Sequence, residues 1–350
     1  MAEKIKKITG MRLFMPIVCL FIVLLVNVIR TPDFFNITLK DGQLSGWLID
    51  VINRGSELVI LAIGMTLVTA ASGGQDISVG AVMAVAAAVC CQILSGGEVS
   101  TNTLAAPIII AAIAGILVAA LCGAFNGFLV AKLNIQPMVA TLILFTAGRG
   151  IAQLVTQGQI TYVRVESYKA MGGFLGPIPT PVIFAVAAVI VAYLVLNKTA
   201  LGMYIESVGI NSHASRLIGL NSTRIKFLTY VICGALAGLA GIVASSRIYS
   251  DANNIGLNLE MDAILAVALG GNILSGGKFS LMGSVIGAYT IQALTTTLYA
   301  MSVPSDQLPV YKAIVVIIIV VLQSPVYKKA MQNYKAKRQS KKAVVQGGEQ

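Results

Sequence analysis

Charge is the first thing this chain is short of. Only 11% of its 350 residues are Asp, Glu, Lys or Arg, where a soluble domain carries roughly a quarter. The mean hydropathy is +0.84. A soluble enzyme of this length needs polar groups to cover its surface, so a large soluble domain is excluded. Aromatic residues are scarce as well, at 7%, while glycines number 34. That balance argues against the aromatic girdles of an outer-membrane barrel and for helices packed through small residues. The expected fold class is an all-α membrane protein.

Catalytic equipment is missing too. There is one histidine, His213, and no HExxH or GxSxG run. The stretch SGGKFS around Lys278 is not a Walker A loop, which needs glycine where Asn272 stands and Ser or Thr where Phe279 stands. Cys19, Cys90, Cys91, Cys122 and Cys233 all fall in apolar stretches without metal-ligand or CxxC spacing, and they read as packing residues. No metal site and no cofactor are expected on this chain. A protein that moves solute uphill without a phosphate-binding loop must draw on an ion gradient or on a partner's hydrolysis.

What is there is a succession of apolar runs. A hydrocarbon core of about 30 Å takes about 20 helical residues, and ten runs approach that length: 13–29, 58–72, 79–95, 105–131, 138–157, 181–197, 227–246, 260–275, 281–302 and 309–324. Lys4, Lys6, Lys7 and Arg12 precede the first run as in a signal peptide, but no small-residue cleavage site follows, so an uncleaved first span is expected. Counting Lys and Arg on alternate sides of the ten runs gives seventeen on one side and seven on the other, with Arg149 inside a run. The basic side is cytoplasmic. Both tails, 1–12 and 326–350, and the loop 198–226 are thus expected in the cytoplasm, around a membrane domain over 13–325. The acids Asp33, Asp41, Asp50, Glu57, Glu166, Asp251 and Asp306 fall on the outer side of this count. The net charge of +11 is accounted for by this asymmetry, and nucleic acid is not an expected partner.

Two stretches about 200 residues apart resemble each other. In ELVILAIGMTLVTAASGGQDISVG the apolar run stops at Gly73-Gly74 and restarts after Ser78. In MDAILAVALGGNILSGGKFSLMG it stops at Gly276-Gly277 and resumes past Ser280. Interrupted repeats of this kind are a transporter signature, because broken backbone at membrane depth survives only where protein or a water-filled cavity satisfies it. Two ordinary turns at the membrane face are the alternative. Gly74, Gln75, Asp76, Ser78, Gly276 and Gly277 are therefore candidates for the solute pathway. Asp76, Arg149 and Asp262 are the ionisable groups available for ion coupling. Asp76 can instead cap the helix starting at Val79, and Asp262 can sit in the first turn of its own helix.

The loop 198–226 holds one more candidate. Asn211-Ser212-His213-Ala214-Ser215-Arg216-Leu217-Ile218-Gly219 reads as a short helix capped by Asn211 or Ser212, with Ala214, Leu217 and Ile218 on one face and Gly219 ending it. Two turns are too short to be stable alone, but they suit docking into a partner's groove, with Arg216 and His213 as polar contacts. A helix lying on the membrane surface is the alternative.

These segments carry a resemblance. GMTLVTAASGGQDISVGAVMA, NGFLVAKLNIQPMVATL, the loop TALGMYIESVGINSHASRLIGL, and GALAGLAG followed by DAILAVALGGNILSGG resemble the permease subunits of bacterial ABC importers for monosaccharides, the ribose, xylose, galactose and galactofuranose group. The likeness runs from about residue 15 to 325. The stretch DGQLSGWLIDVINRGSELVILAIGMTLV is most similar to galactofuranose permeases, while Gln75 stands where the family usually has an aliphatic residue. The resemblance implies a ten-span inner-membrane permease that moves a monosaccharide inward by alternating access. It also implies a second permease subunit, identical or paralogous, a cytoplasmic ATP-binding-cassette ATPase that holds the ATP and Mg, an extracytoplasmic sugar-binding protein, and surrounding membrane lipid. Residues 211–219 match the family's coupling segment. An ion-coupled secondary sugar carrier is the rival transporter, and a membrane enzyme is the rival from another class. Gly123/Gly127, Gly234/Gly238 and Gly283/Gly287 have GxxxG spacing, expected to serve packing within one bundle more than a dimer interface.

Overall fold

The computed structural model describes residues 13–40 and 42–323; both tails and Asp41 lie outside the described residues. The chain divides into two units, Met1–Ser302 and Val303–Gln350. In the first unit the helices are α1 (Phe14–Arg30), α2 (Trp47–Ser72), α3 (Val79–Ser95), α4 (Ile108–Gly127), α5 (Pro137–Val155), the short α6 (Glu166–Lys169), α7 (Thr180–Lys198), α8 (Leu201–Ile210), α9 (Ser212–Leu217), α10 (Ser222–Ile248), α11 (Leu259–Leu269) and α12 (Leu281–Ala300). The second unit contributes α13 (Leu308–Gln323). Each of the ten apolar runs coincides with one of these helices. Among the described residues, five stretches are long and apolar enough to cross a membrane: Trp47–Ser72, Ile108–Lys132, Pro137–Val155, Thr180–Lys198 and Ser222–Ile248.

Three limits read from sequence shift for physical reasons. The second run begins at Trp47 and not at 58, because the helix continues through Asp50, Arg54 and Glu57. Glu57, counted among outer-side acids, is buried within α2 and receives a two-pronged ion pair from Arg247 of α10 at 2.9 Å. A matched charge costs far less than an unmatched one, so the acid no longer breaks the apolar helix. The eighth run ends at Leu269 and not at 275. There the chain turns through Gly270 and Gly271, and the Asn272 amide holds the turn by donating to the Ser284 hydroxyl at 2.7 Å and to the Val267 carbonyl at 3.2 Å. The loop 198–226, finally, is mostly helical, because α8 fills the part that the sequence reading left as loop.

α2 lies at the centre of the first unit, buried without interruption from Gly55 to Ala71, as expected of a helix that is apolar all round. α10 packs on α4 through facing glycines: a Cβ at Gly234 would meet Gly123 Cα at 2.9 Å, and one at Gly238 would meet Ala119 Cβ at 2.6 Å. Gly283 and Gly287 face Gly270 and Ala266 of the α11 segment in the same way. All three GxxxG pairs thus serve close backbone approach inside the chain.

One end of the unit is closed by loops. β1 (Ser100–Thr101) pairs in parallel with β2 (Tyr162–Val163), and Tyr162 bridges to Ser250 after α10. The Asp251 carboxylate accepts the Thr161 N–H in this seam. Burial pushes its carboxyl up to about 6, against the opposing pull of that N–H.

Candidate functional site

The two glycine breaks, far apart in sequence, fold onto each other. α2 ends at Ser72, and Gly73 closes it in the left-handed region at φ 69°. The Gly277 N–H donates to the Ala70 carbonyl in the last turn of α2, at 2.9 Å. The Gln75 amide reaches the Leu274 carbonyl at 3.4 Å. A Cβ at Gly276 would lie 3.0 Å from Gly73 Cα and 3.2 Å from the Gly209 carbonyl of α8. Gly209 is the third member of the joint: its own Cβ would overlap the Ala70 carbonyl oxygen and fall 2.6 Å from the Gly277 nitrogen. Three backbones meet where a single methyl group has no room, which is why glycine recurs at each position.

Beside this joint lies a buried polar cluster. Asp76 Oδ1 accepts the Ser78 N–H at 2.9 Å and the Ser78 hydroxyl at 2.6 Å. The Asn126 amide, from the end of α4, donates to Ser78 Oγ at 2.8 Å and more loosely to the Asp76 carboxylate at 3.4 Å. The Ile77 N–H donates to the Thr141 hydroxyl of α5 at 3.2 Å. Asp76, Ser78 and Asn126 are all but fully buried. Asp76 does not cap the helix starting at Val79: Ser78 holds the N-cap position, and the Asp76 carboxylate accepts from Ser78 itself and not from a first-turn N–H. The cluster binds the first break to α4 and α5, while Pro137 at the start of α5 sits directly against Gly74. Asn126 and Gly209 belong to this site although neither stood out in the sequence. The partner of each is brought in by tertiary packing, and the signal that could have found them was the recurrence of polar and small residues at helix ends.

The segment 211–219 begins immediately after α8. Asn211 is the N-cap, its side chain accepting the N–H groups of His213 and Ala214, both at 3.0 Å. α9 runs from Ser212 to Leu217, and Gly219 follows it at φ 89°. Only Ser215 is buried; Ala214 is exposed, and Leu217 and Ile218 are 90% and 75% exposed. Arg216 is turned back onto its own chain, donating to the Ser222 hydroxyl at 2.6 Å and the Thr223 hydroxyl at 3.4 Å. The exposed residues of α9 are thus the apolar Ala214 and Leu217 beside the polar His213 and Arg216. Asn221 caps α10 in turn, accepting the Arg224 N–H at 3.0 Å. Asp262 lies buried in the first turn of α11, as its sequence context suggested. Among the described residues, no three His, Cys, Asp or Glu side chains gather in a way that could hold a metal ion.

Residues 47–323 match the family model described as "Branched-chain amino acid transport system / permease component". The chain is 46% identical, over 88% of its length and 88% of the relative's, to the galactofuranose transporter permease protein YtfT of Escherichia coli. It is 39% identical to the fructose import permease protein FruF of Bifidobacterium longum, covering 95% of this chain and 94% of that one. It is 33% identical to the ribose import permease protein RbsC of Escherichia coli, covering 88% and 92%. No solved structure matches.

Proposed function

We propose, from the premise that this chain belongs to the permease-component family of transport systems, that it is the membrane-spanning subunit of an ATP-binding-cassette importer carrying a monosaccharide inward across the bacterial inner membrane. It is a transporter subunit and not an enzyme. The substrate class follows the relatives named for galactofuranose, fructose and ribose, which match nearly the whole chain, in preference to the amino acids of the broad family description.

One observation carries the mechanism. The helix that leads into the exposed, Asn211-capped α9 is itself packed at Gly209 against the second glycine break and against Ala70, in the last turn of the helix that runs into the first. A push on Leu217 and Ile218 by a cytoplasmic ATPase would reach the two breaks through one ten-residue helix. Rigid elements with close-packed joints transmit small displacements without loss. In this reading residues 211–219 receive the stroke. Gly74, Gln75, Asp76, Ser78, Gly276 and Gly277 form the gate of the sugar pathway that α8 moves. The ATP and Mg are held by the partner ATPase. A second permease, identical or paralogous, completes the membrane assembly, and an extracytoplasmic binding protein delivers the sugar. The basic loop 198–226 and both tails face the cytoplasm under the positive-inside rule.

The test is uptake of labelled D-galactose, D-fructose, D-ribose and L-leucine by cells carrying the complete transporter or lacking its ATPase. Sugar uptake that vanishes with the ATPase is expected. Uptake that persists without it and follows a proton or sodium gradient would establish the secondary carrier instead.

A further inference from the structure

α7 stands off the bundle along its middle. Only Pro181, Ala185 and Leu196 of this helix are buried, and between it, α2 and α10 lies a cavity of about 440 Å³. Two walls follow helix periodicity, with Ile63 and Leu67 from α2 and Ile232, Leu236 and Leu239 from α10. The third wall is Phe184, Ala188, Ala192 and Val195 of α7. Protein interiors are close-packed, but here the two alanines present one methyl each, and the space a larger side chain would take is left over. Leu196 and Leu201 close one end, at the corner where α7 passes into α8. Val191 and Val195 line the cavity and are themselves exposed, so its mouth lies along α7.

Three properties select the occupant. The lining consists of Ala, Val, Leu, Ile and Phe alone, so water finds no polar partner there and a sugar would leave its hydroxyls unpaired. α2, α7 and α10 are each long and apolar enough to cross a membrane, which puts the space between them at hydrocarbon depth. The dimensions are those of one lipid tail. Phe184 and Val195 are eleven residues apart, about 16 Å of helix, against about 15 Å for one leaflet of the hydrocarbon core. The volume is about three times that of a ~150 Å³ apolar cavity that takes one six-carbon ring. Left empty, it would forfeit the dispersion contacts of every group around it.

We propose that this cavity is a binding site for one acyl chain of a membrane phospholipid, held between α7, α2 and α10. The proposal needs only that these helices span the bilayer, and it is independent of the transported solute. The tail fills the space the alanines leave and abuts the α7–α8 corner. Lipid that merely surrounds the protein touches the outward side of α7 at Ile190 and Leu194, which are exposed and outside the cavity. A bound tail also touches Leu67, which is buried.

The experiment uses the full chain in nanodiscs of phosphatidylcholine doped with the same lipid carrying a diazirine near the end of one acyl chain. After photolysis, mass spectrometry of peptides locates the adducts. In the unmodified protein, adducts are expected on Leu67, Leu236 or Leu239 as well as on Ile190 and Leu194. Ala188→Leu combined with Ala192→Leu fills the cavity, so adducts at the three inner positions should fall at least tenfold while those on Ile190 and Leu194 stay unchanged. If the double variant does not insert, Ala192→Leu alone carries the test, with at least a threefold fall. The inference is overturned if the unmodified protein is labelled only at Ile190 and Leu194, whether because α7 closes onto α2 or because a second copy of the chain covers the cavity. It is equally overturned if the variants leave the inner labelling undiminished. Neither result touches the sugar reading, which uptake tests separately.

Discussion

The Gly277 N–H donates to the Ala70 carbonyl across 2.9 Å, tying the second glycine break to the last turn of the helix that precedes the first. Gly209 closes the same contact from the third side, with no space for a side chain. The joint makes α8, α2 and the 270–280 turn a single mechanical element, so changes at it should reach transport before they reach the rest of the fold.

Gly209→Ala is the direct probe. Its methyl group must displace backbone and not a flexible side chain, and overpacking of this kind costs about 1–3 kcal/mol. Lower membrane abundance and a larger loss of uptake per molecule are expected. Gly150→Ala, in a helix with open space around the position, should leave thermal stability unchanged or slightly raised. Equal effects of the two substitutions on stability would remove the special status of the joint.

Asp76 should tolerate little. Asp76→Ala strips the Ser78 N–H, the Ser78 hydroxyl and the Asn126 amide of an acceptor, and each buried group left unpaired costs about 1–3 kcal/mol. Asp76→Asn keeps one acceptor oxygen and should sit between Asp76→Ala and the unmodified protein in melting temperature. The order of the three melting curves is the check.

Glu57 and Arg247 offer a double-mutant cycle. Removing one partner of a buried pair costs about 3–5 kcal/mol, because the other charge is stranded, while removing both with apolar replacements is often neutral. Glu57→Leu and Arg247→Met should each lower the melting temperature of the solubilised protein, and the double variant should recover most of the loss. Additive losses would mean that the pair of 2.9 Å does not couple α2 to α10.

Leu217→Glu and Ile218→Glu should separate folding from coupling. Both side chains are mostly exposed, so insertion and melting should be unchanged, while association with the ATPase and sugar uptake should fall at least tenfold. Normal uptake with a normally associated ATPase would end the coupling assignment of α9.

Asp251 has a pH signature. Its carboxyl titrates near 6 in the fold against an ordinary value of 3.8, so the folded state holds the proton more tightly than the unfolded one. The linked stability is present at low pH and is lost as pH rises from about 4 through 6. The melting temperature of the unmodified protein relative to Asp251→Asn should therefore fall across that interval and level off above it.

Much of this was legible in the chain. The ten apolar runs coincide with helices because backbone groups taken out of water must be paired, and a helix pairs them within its own segment. Asn211 and Gly219 bound the short helix through local geometry alone, as cap and stop residues do. The shortage of charge, the repeated glycine breaks and the basic asymmetry were all local or additive properties. Tertiary structure decided everything that depends on a distant partner. Glu57 looked like a loop acid until Arg247 matched it, and the Ser222 hydroxyl that takes the Arg216 Nε–H was not visible as its partner. Asn126 and Gly209 looked ordinary until packing brought Ser78 and Ala70 against them. Periodicity and composition encode which residues leave water, but which of them meet is set by helix crossings, and no single segment contains that information.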